Sequence, residues 1–150
     1  MMYPANIFPS MKLLLFLIFM LPAALNAQIN PKDVSIARDS FGVPHIFGKT
    51  DADVAYGLAW AHSEDDFYTI QSSFLAGKGM LGRSIGRNGA AADYVVALLR
   101  CRDNIKQKIE TLSPEFLKLV KAYIQGMNDY ARSHPAEVRV KAAFPATVED

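Results

Sequence analysis

Apolar and polar residues alternate along two short stretches near residue 40. In residues 34–38 and 43–47, one set of side chains alternates with another at every second position, which is the period of a β-strand. The tetrapeptide 39–42, Asp-Ser-Phe-Gly, has turn composition, since Asp can accept backbone hydrogen bonds and Gly tolerates a positive φ. Pro44 cannot donate to a ladder, so the second strand is an edge or pairs on one side only near its start. The pattern predicts a β-hairpin.

A longer apolar period follows the hairpin. Thr50 has the character of an N-cap, with Asp53 in the capping-box position, and apolar residues then recur every three or four positions. This predicts a helix over residues 51–76, ended by Gly77 and Gly79. The glycine-rich stretch 77–93 predicts a loop with one short turn near residues 80–85.

Two further helices are predicted. One covers about 93–111, and the other covers 114–133, beginning after the Ser113 cap and stopped by His134-Pro135. Phe116, Tyr123 and Tyr130 fall at helical spacing on the last helix and are expected in the core. Residues 136–150 are weakly patterned, and Thr147 is expected to cap the start of another helix.

These elements define the expected fold class, α+β, with a short β-hairpin and three main α-helices in a domain over residues 28–150. Three apolar helix faces need a cover, and one small hairpin cannot supply it. The pattern therefore indicates an incomplete structural unit.

The first 27 residues have a different composition. Lys12 precedes the apolar run 13–21, Pro22 breaks it, and small residues follow, as in a secretory signal peptide that is too short to span a bilayer stably. We place the cleavage after Ala27, with cleavage after Ala24 or an uncleaved anchor as alternatives. The sequence thus predicts export to the periplasm or the extracellular medium, with no membrane association after cleavage.

Charge and cysteine content limit the partners. Without Lys12 the remaining chain has 15 basic and 15 acidic residues, which argues against a nucleic-acid partner. Cys101 is the single cysteine, so an exported chain cannot form an internal disulfide and depends on packing or a partner chain for stability.

The candidate chemical groups are few. His45 is interpreted as a structural histidine bound to backbone carbonyls, because no spacing supplies it with a carboxylate and a nucleophile. His62 and Asp66 would share a helix face as a hydrogen-bonded pair or as two metal ligands, although zinc needs a third ligand. The run Glu64-Asp65-Asp66 is expected to be a solvated face with one acid turned inward to an arginine such as Arg38 or Arg83.

Other motifs are incomplete. No serine lies in a G-x-S-x-G elbow, Cys101 has no nucleophile context, and the glycines lack the G-x-x-x-x-G-K-[ST] order of a phosphate-binding loop. The sequence therefore assigns no catalytic residue, no metal ligand and no substrate-binding residue within the chain.

Several motifs, taken in order, carry a family resemblance that covers roughly residues 34–150. Together they resemble the N-terminal part of the penicillin acylase family, and the A-H-S-E-D-D-F form is closer to the acylases of acyl-homoserine lactones and lipopeptides such as aculeacin A. The matching elements are Arg38-Asp39, Gly42-Val43-Pro44-His45-Ile46, Asp53, Gly57, residues 61–66, Gly77, Gly82-Arg83, Gly86, residues 123–130, Phe144-Pro145 and Glu149-Asp150.

The resemblance implies an N-terminal-nucleophile amidohydrolase made as a precursor that cleaves itself into a small α chain and a large β chain. It implies an αββα core built mostly from the β chain, which would be the partner of this α-chain fragment. The nucleophilic serine, the oxyanion donors and the acid that helps bind a calcium ion would lie past Asp150. The fragment alone is therefore expected to be inactive, and no cofactor is expected within it.

The implied substrate is a small N-acyl amide: a β-lactam side chain, an acyl-homoserine lactone or a lipopeptide. An alternative from another class is a stand-alone exported helical binding module that kept the scaffold without the chemistry. A metal-dependent enzyme using His45, His62 and the neighbouring acids is a third reading.

Overall fold

The predicted hairpin is confirmed by the computed structural model, which describes residues 28–150. After a short 3-10 turn at Pro31–Asp33, strand β1 (Ser35–Arg38) pairs antiparallel with strand β2 (Pro44–Phe47). Gly42 adopts φ 82°, as the turn requires. The predicted signal peptide, residues 1–27, lies outside the described residues.

Helix α1 (Asp51–Gly77) begins with the predicted capping box, in which Thr50 and Asp53 bond each other's backbone N–H. The helix is interrupted at Asp66, whose φ of −157° and ψ of 73° are not helical. The predicted span is confirmed, and the kink is a feature that the apolar period does not reveal.

The glycine-rich stretch is more helical than predicted. Helix α2 (Gly82–Ile85) occupies the expected short turn, but helix α3 (Arg87–Leu98) takes the place of the C-terminal part of the predicted loop, and residues 78–81 stay non-helical. A Cβ on Gly89 would lie 2.5 Å from the backbone carbon of Leu81, so this glycine permits close packing of α2 on α3. The sequence pattern takes Gly89 as part of a loop, whereas in the structure it lies in a helix and allows close packing.

The predicted helix 93–111 is wrong as a single element. It is divided by Arg100, a non-glycine residue with φ 51°, into α3 and helix α4 (Cys101–Lys108), which a 3-10 turn at Ile109–Thr111 extends. The α+β class is confirmed, with five helices in the described residues in place of three main ones.

Helix α5 (Pro114–Ser133) is confirmed, with the Ser113 hydroxyl accepting from the Phe116 N–H at 3.1 Å. After it the chain contains a 3-10 turn at Lys141–Ala143. Residues 147–150 form a single turn, in which the Asp150 N–H donates to the Thr147 carbonyl and the Thr147 N–H donates to Asp150 Oδ2. The predicted helix start at Thr147 stays a prediction.

The core lies between α1 and α5. Ala59, Phe67, Met127 and Tyr130 are buried there, each at most 4% exposed. Phe116, expected in the core, is instead 52% exposed.

Apolar side chains are uncovered elsewhere. On α3 and its C-terminal end, four residues are between 50% and 68% exposed: Tyr94, Val95, Leu98 and Leu99. Such a stripe is typical of an interaction surface, in keeping with the incomplete cover that the sequence indicates. In the described part of the chain, each helix is too short or too polar to cross a membrane.

Candidate functional site

The turn of the hairpin is organised by Asp39. Its Oδ1 accepts from the N–H groups of Phe41 at 2.9 Å and Val43 at 3.0 Å, and its Oδ2 lies 3.3 Å from His45 Nε2. The backbone bond from Val43, followed by the contact with His45, lowers the pKa of Asp39. The partner of His45 is thus a carboxylate and not the predicted backbone carbonyl. The His45 side chain is 54% exposed. The contact between Asp39 and His45 therefore lies at the surface, where it supports the turn.

Arg38 ties this hairpin to α1. Its Nη2 lies 3.1 Å from Glu64 Oε2 and 2.8 Å from Asp65 Oδ1, while its Nη1 donates to the Gly42 carbonyl at 2.9 Å. The prediction that the acidic run holds Arg38 is confirmed, but two acids share the arginine and neither is turned inward. Exposed pairs of this kind contribute about 0–1 kcal/mol each.

Asp66, the third acid, caps the second half of α1. Its Oδ1 accepts from the Thr69 N–H at 3.0 Å, and the contacts with Thr69, its side chain first, lower the Asp66 pKa. The predicted pairing with His62 is wrong: His62 Nδ1 lies 3.2 Å from the Tyr123 hydroxyl. Among residues 28–150, no three His, Cys, Asp or Glu side chains are grouped to hold a metal ion.

The Tyr-x-x-Gly-x-Asn-x-Tyr residues of α5 each make a different packing contact. Tyr123 meets α1 through His62, and Gly126 allows close approach, because a Cβ there would lie 2.4 Å from the Tyr56 carbonyl oxygen. Asn128 bonds both backbone groups of Ala146, at 2.7 and 3.0 Å.

The ring of Tyr130, the last residue of this motif, completes the cluster. It stacks on His134, with centroids 4.0 Å apart, and meets Trp60 and Phe67 edge-on at 5.4 and 5.0 Å. The motif therefore fixes α5 between α1 and the segment that follows.

A buried polar network joins α1 to α5. Tyr56 donates to Asp129 Oδ2 at 3.0 Å, and Arg132 donates to Asp129 Oδ1 at 2.7 Å. Burial, and then the charge of Asp129, raises the pKa of Tyr56 well above its usual range. The tyrosine is thus held as a neutral hydrogen-bond donor.

A second cluster, which the sequence does not reveal, surrounds Asp150. Its Oδ2 accepts from Lys78 Nζ at 2.8 Å and from the Thr147 N–H at 2.9 Å, and its Oδ1 lies 2.9 Å from Arg102 Nη2. Burial raises the Asp150 pKa, but the bonds from Lys78 and Thr147 outweigh it and the net pKa is lowered. Helix spacing could not find these partners, because Lys78 is 72 residues away.

Two open cavities accompany these clusters. One of about 240 Å³ lies beside Lys78, Asp93, Arg100 and Cys101. The other, of about 1100 Å³, is a groove along α5. Its lining includes Ile29, Leu112, Leu117, Ile124 and Val148. Neither brings a nucleophile, a base and oxyanion donors together in the described residues, and the absence of catalytic residues from residues 28–150 stays a prediction.

The described residues therefore define a class: a mainly helical scaffold with a two-stranded hairpin, held by caps, packing glycines and buried ion pairs. The sequence model of the Penicillin amidase family matches residues 33–148. The chain belongs to this family of amidohydrolases, and its resemblance to the N-terminal part of penicillin acylases is confirmed.

Individual relatives agree. The chain is 25% identical over 102 residues to penicillin G acylase of Escherichia coli, covering 68% of this chain and 12% of the relative. It is 27% identical over 100 residues to penicillin acylase 2 proenzyme of a Pseudomonas species, covering 67% and 13%. It is 25% identical over 99 residues to acyl-homoserine lactone acylase QuiP of Pseudomonas aeruginosa, covering 66% and 12%.

A solved structure shares the fold. Thermostable penicillin G acylase from Alcaligenes faecalis aligns with a TM-score of 0.63 at 23% identity, covering 77% of this chain and 66% of that chain. The chain spans only 12–13% of the length of the curated relatives just named. The identities to penicillin and acyl-homoserine lactone acylases are alike, so the nearer branch stays a prediction.

Proposed function

We propose that this chain is the N-terminal part of an exported amidohydrolase that hydrolyses the linear amide bond of small N-acyl compounds. The observation that carries the proposal is the match to the Penicillin amidase family over residues 33–148. The relatives include acylases of penicillins and of acyl-homoserine lactones, so the substrate class is an acyl group joined to an amine through an amide.

The nucleophile in this proposal is a serine freed at the N-terminus of a second, larger chain cut from the same precursor. Its own α-amino group would act as base, which is a known way to activate a hydroxyl. One relative is named a proenzyme, which supports a processed precursor here. The proposal includes a calcium ion bound by the remainder of the precursor.

The role of the described residues is to dock and brace the catalytic part. Exposed apolar side chains such as Tyr94, Leu98 and Phe116, each more than half exposed, support a surface made to be covered. They weigh against the stand-alone binding module, which must cover its apolar faces internally. The hairpin, tied to α1 through Arg38, supplies a rigid part of that surface.

The proposal is tested first on the gene and then on its product. Sequencing beyond codon 150 is expected to show an open frame with a Gly-Ser or similar junction. The purified full-length product is expected to run as two chains and to release amine from a panel of p-nitroanilides and acyl-homoserine lactones of graded chain length.

Two controls sharpen this test. Replacing the junction serine by alanine is expected to leave one uncut, inactive chain, and residues 28–150 expressed alone are expected to be inactive. A stop codon after residue 150 with no large chain encoded nearby would count against the proposal. So would a soluble, cooperatively folding, monomeric 28–150 product, which is the outcome that the binding-module reading predicts.

A further inference from the structure

The hydrogen bonding of the hairpin leaves alternate backbone groups of each strand facing outward. Asp39 donates its N–H to the Val43 carbonyl at 3.2 Å, while the Val43 N–H donates to the Asp39 side chain, so Asp39 and Val43 occupy a position whose backbone groups face across the hairpin. Bonded and non-bonded pairs alternate along an antiparallel ladder, and the Ile36–Ile46 pair, three steps away, is therefore non-bonded. The N–H and C=O groups of these two isoleucines point away from each other, at opposite edges of the hairpin.

The two edges differ in what they offer another strand. On β2 the outward position next to Ile46 is Pro44, which has no N–H to donate, so this edge is interrupted. On β1 the facing position is Arg38, which has its N–H. Within residues 28–150 the sheet contains β1 and β2 alone, so no described strand occupies the β1 edge.

The side chains do not obstruct the β1 edge. An arginine on an edge strand ordinarily discourages pairing, but the Arg38 guanidinium is turned onto Glu64 and Asp65 of α1. The inner face of the hairpin is packed on α1, where a Cβ on Gly57 would lie 2.5 Å from Ile46 Cγ2. The edge is thus held in place, and no strand within residues 28–150 pairs with its outward backbone groups.

The outer face of the hairpin is unfinished. Phe47 and Val43, which alternation places on the side away from α1, are 59% and 52% exposed. An isolated two-stranded hairpin is marginally stable in water; packing on α1 supports the inner face of this one, and a further strand and layer would cover its outer face.

We infer that β1 is a joining strand: an extended segment of the large catalytic part of the same gene product pairs with Ile36 and Arg38. The hairpin then becomes the margin of a larger sheet whose second layer covers Phe47. This inference rests on the proposed function, which supplies the partner. The matched region makes up only 12–13% of the curated relatives' length, so most of such a gene product lies outside this chain.

Hydrogen–deuterium exchange with residue-level fragmentation on the matured, full-length product tests the assignment. The Ile36 amide is expected to exchange at least about 100-fold more slowly than the Ile46 amide. Ile46 is the matched control, because it is the same residue type, faces Ile36 across the ladder and also points outward. Fast exchange at Ile36, or protection at Ile46 either alone or with Ile36, overturns the assignment.

Proline variants give a second readout. Ile36→Pro removes the outward N–H of β1, and it is expected to lower the yield of the two-chain complex about tenfold or more relative to Ile36→Ala. Ile46→Pro is expected to lower it no further than Ile46→Ala. Equal effects of the two prolines, each measured against its own alanine, overturn the inference.

The same preparation separates this inference from the proposed function. A processed product that hydrolyses amides but exchanges quickly at Ile36 removes the joining strand and leaves the proposed function standing. An unprocessed product without amide hydrolysis that is slow at Ile36 and fast at Ile46 removes the proposed function and leaves the strand pairing. Fast exchange at both amides in an inactive product removes both.

Discussion

The side-chain amide of Gln125 holds the backbone of Ile29 by two hydrogen bonds of 2.8 Å, across 96 residues of sequence. One bond accepts the Ile29 N–H and the other donates to its carbonyl, as a neighbouring strand would. The predicted cleavage after Ala27 would leave Ile29 as the second residue of the mature chain. This amide pair therefore fixes the start of the folded domain onto α5.

Gln125→Ala is expected to lower the free energy of unfolding by about 1–3 kcal/mol, because both backbone groups of Ile29 lose their partner in a half-buried position. Denaturant unfolding of the full-length product measures it. Gln107→Ala, at an exposed position on α4, is the control and is expected to change stability by less than about 0.5 kcal/mol. Equal stabilities of the two variants would contradict the role of this amide.

Gly126→Ala is expected to destabilise the protein by about 1–3 kcal/mol. The added Cβ would lie 2.4 Å from the Tyr56 carbonyl oxygen and 3.0 Å from Ala59 Cβ, so α1 and α5 must move apart. The sign itself is diagnostic, since the same change in an unobstructed helix stabilises by up to about 1 kcal/mol. A raised melting temperature would show that the helices do not meet at this glycine.

Asp150→Asn is expected to lower the free energy of unfolding at pH 7 by about 3 kcal/mol. The substitution removes a buried negative charge, so Lys78 and Arg102 lose the carboxylate with which they pair. The Asp150 pKa is lowered in the folded chain, so its stabilisation is present above the unfolded pKa and is lost as pH falls through the folded value. The difference in melting temperature between the wild type and Asp150→Asn should therefore be largest at neutral pH and should shrink as the pH falls through the lowered Asp150 pKa.

The control for this pH series is Glu110→Gln, at an exposed carboxylate, which is expected to follow the wild type throughout. A difference between the wild type and Asp150→Asn that stays constant from pH 7 to a pH far below the usual pKa of an aspartate would contradict a charge-based contribution of Asp150.

His45→Ala is expected to reduce precursor stability by less than about 1 kcal/mol and to reduce maturation yield, with turnover of the processed enzyme unchanged. His45 supports the turn through Asp39, which also accepts two backbone N–H groups. Asp39→Ala should therefore cost more than His45→Ala, and Asp39→Asn, which keeps an acceptor oxygen for the turn, should cost less than Asp39→Ala.

The measurement is the turnover rate divided by the amount of processed, two-chain enzyme. This ratio distinguishes a structural histidine from a catalytic one. A folded, fully processed His45→Ala enzyme that does not turn over would restore His45 as a catalytic residue.

The sequence predicted the hairpin and the starts of α1 and α5 because the turn or cap that marks each of them joins residues within four positions of one another. Thr50 meets Asp53, Ser113 meets Phe116, and Asp39 meets Val43 at such separations. Local hydrogen bonds of this kind can be predicted from the order of residues along the chain. The spaced motifs that identified the family are also visible in that order.

Tertiary packing decided the rest. Gly89 lies in a helix because Leu81 packs against it, and the Asp150 carboxylate is buried because Lys78 and Arg102 come to it from distant segments. The left-handed Arg100 divides a continuous apolar period into two helices. The physical reason is common to all three. Each feature depends on how segments meet in three dimensions, and the spacing of residues along the chain does not encode those contacts.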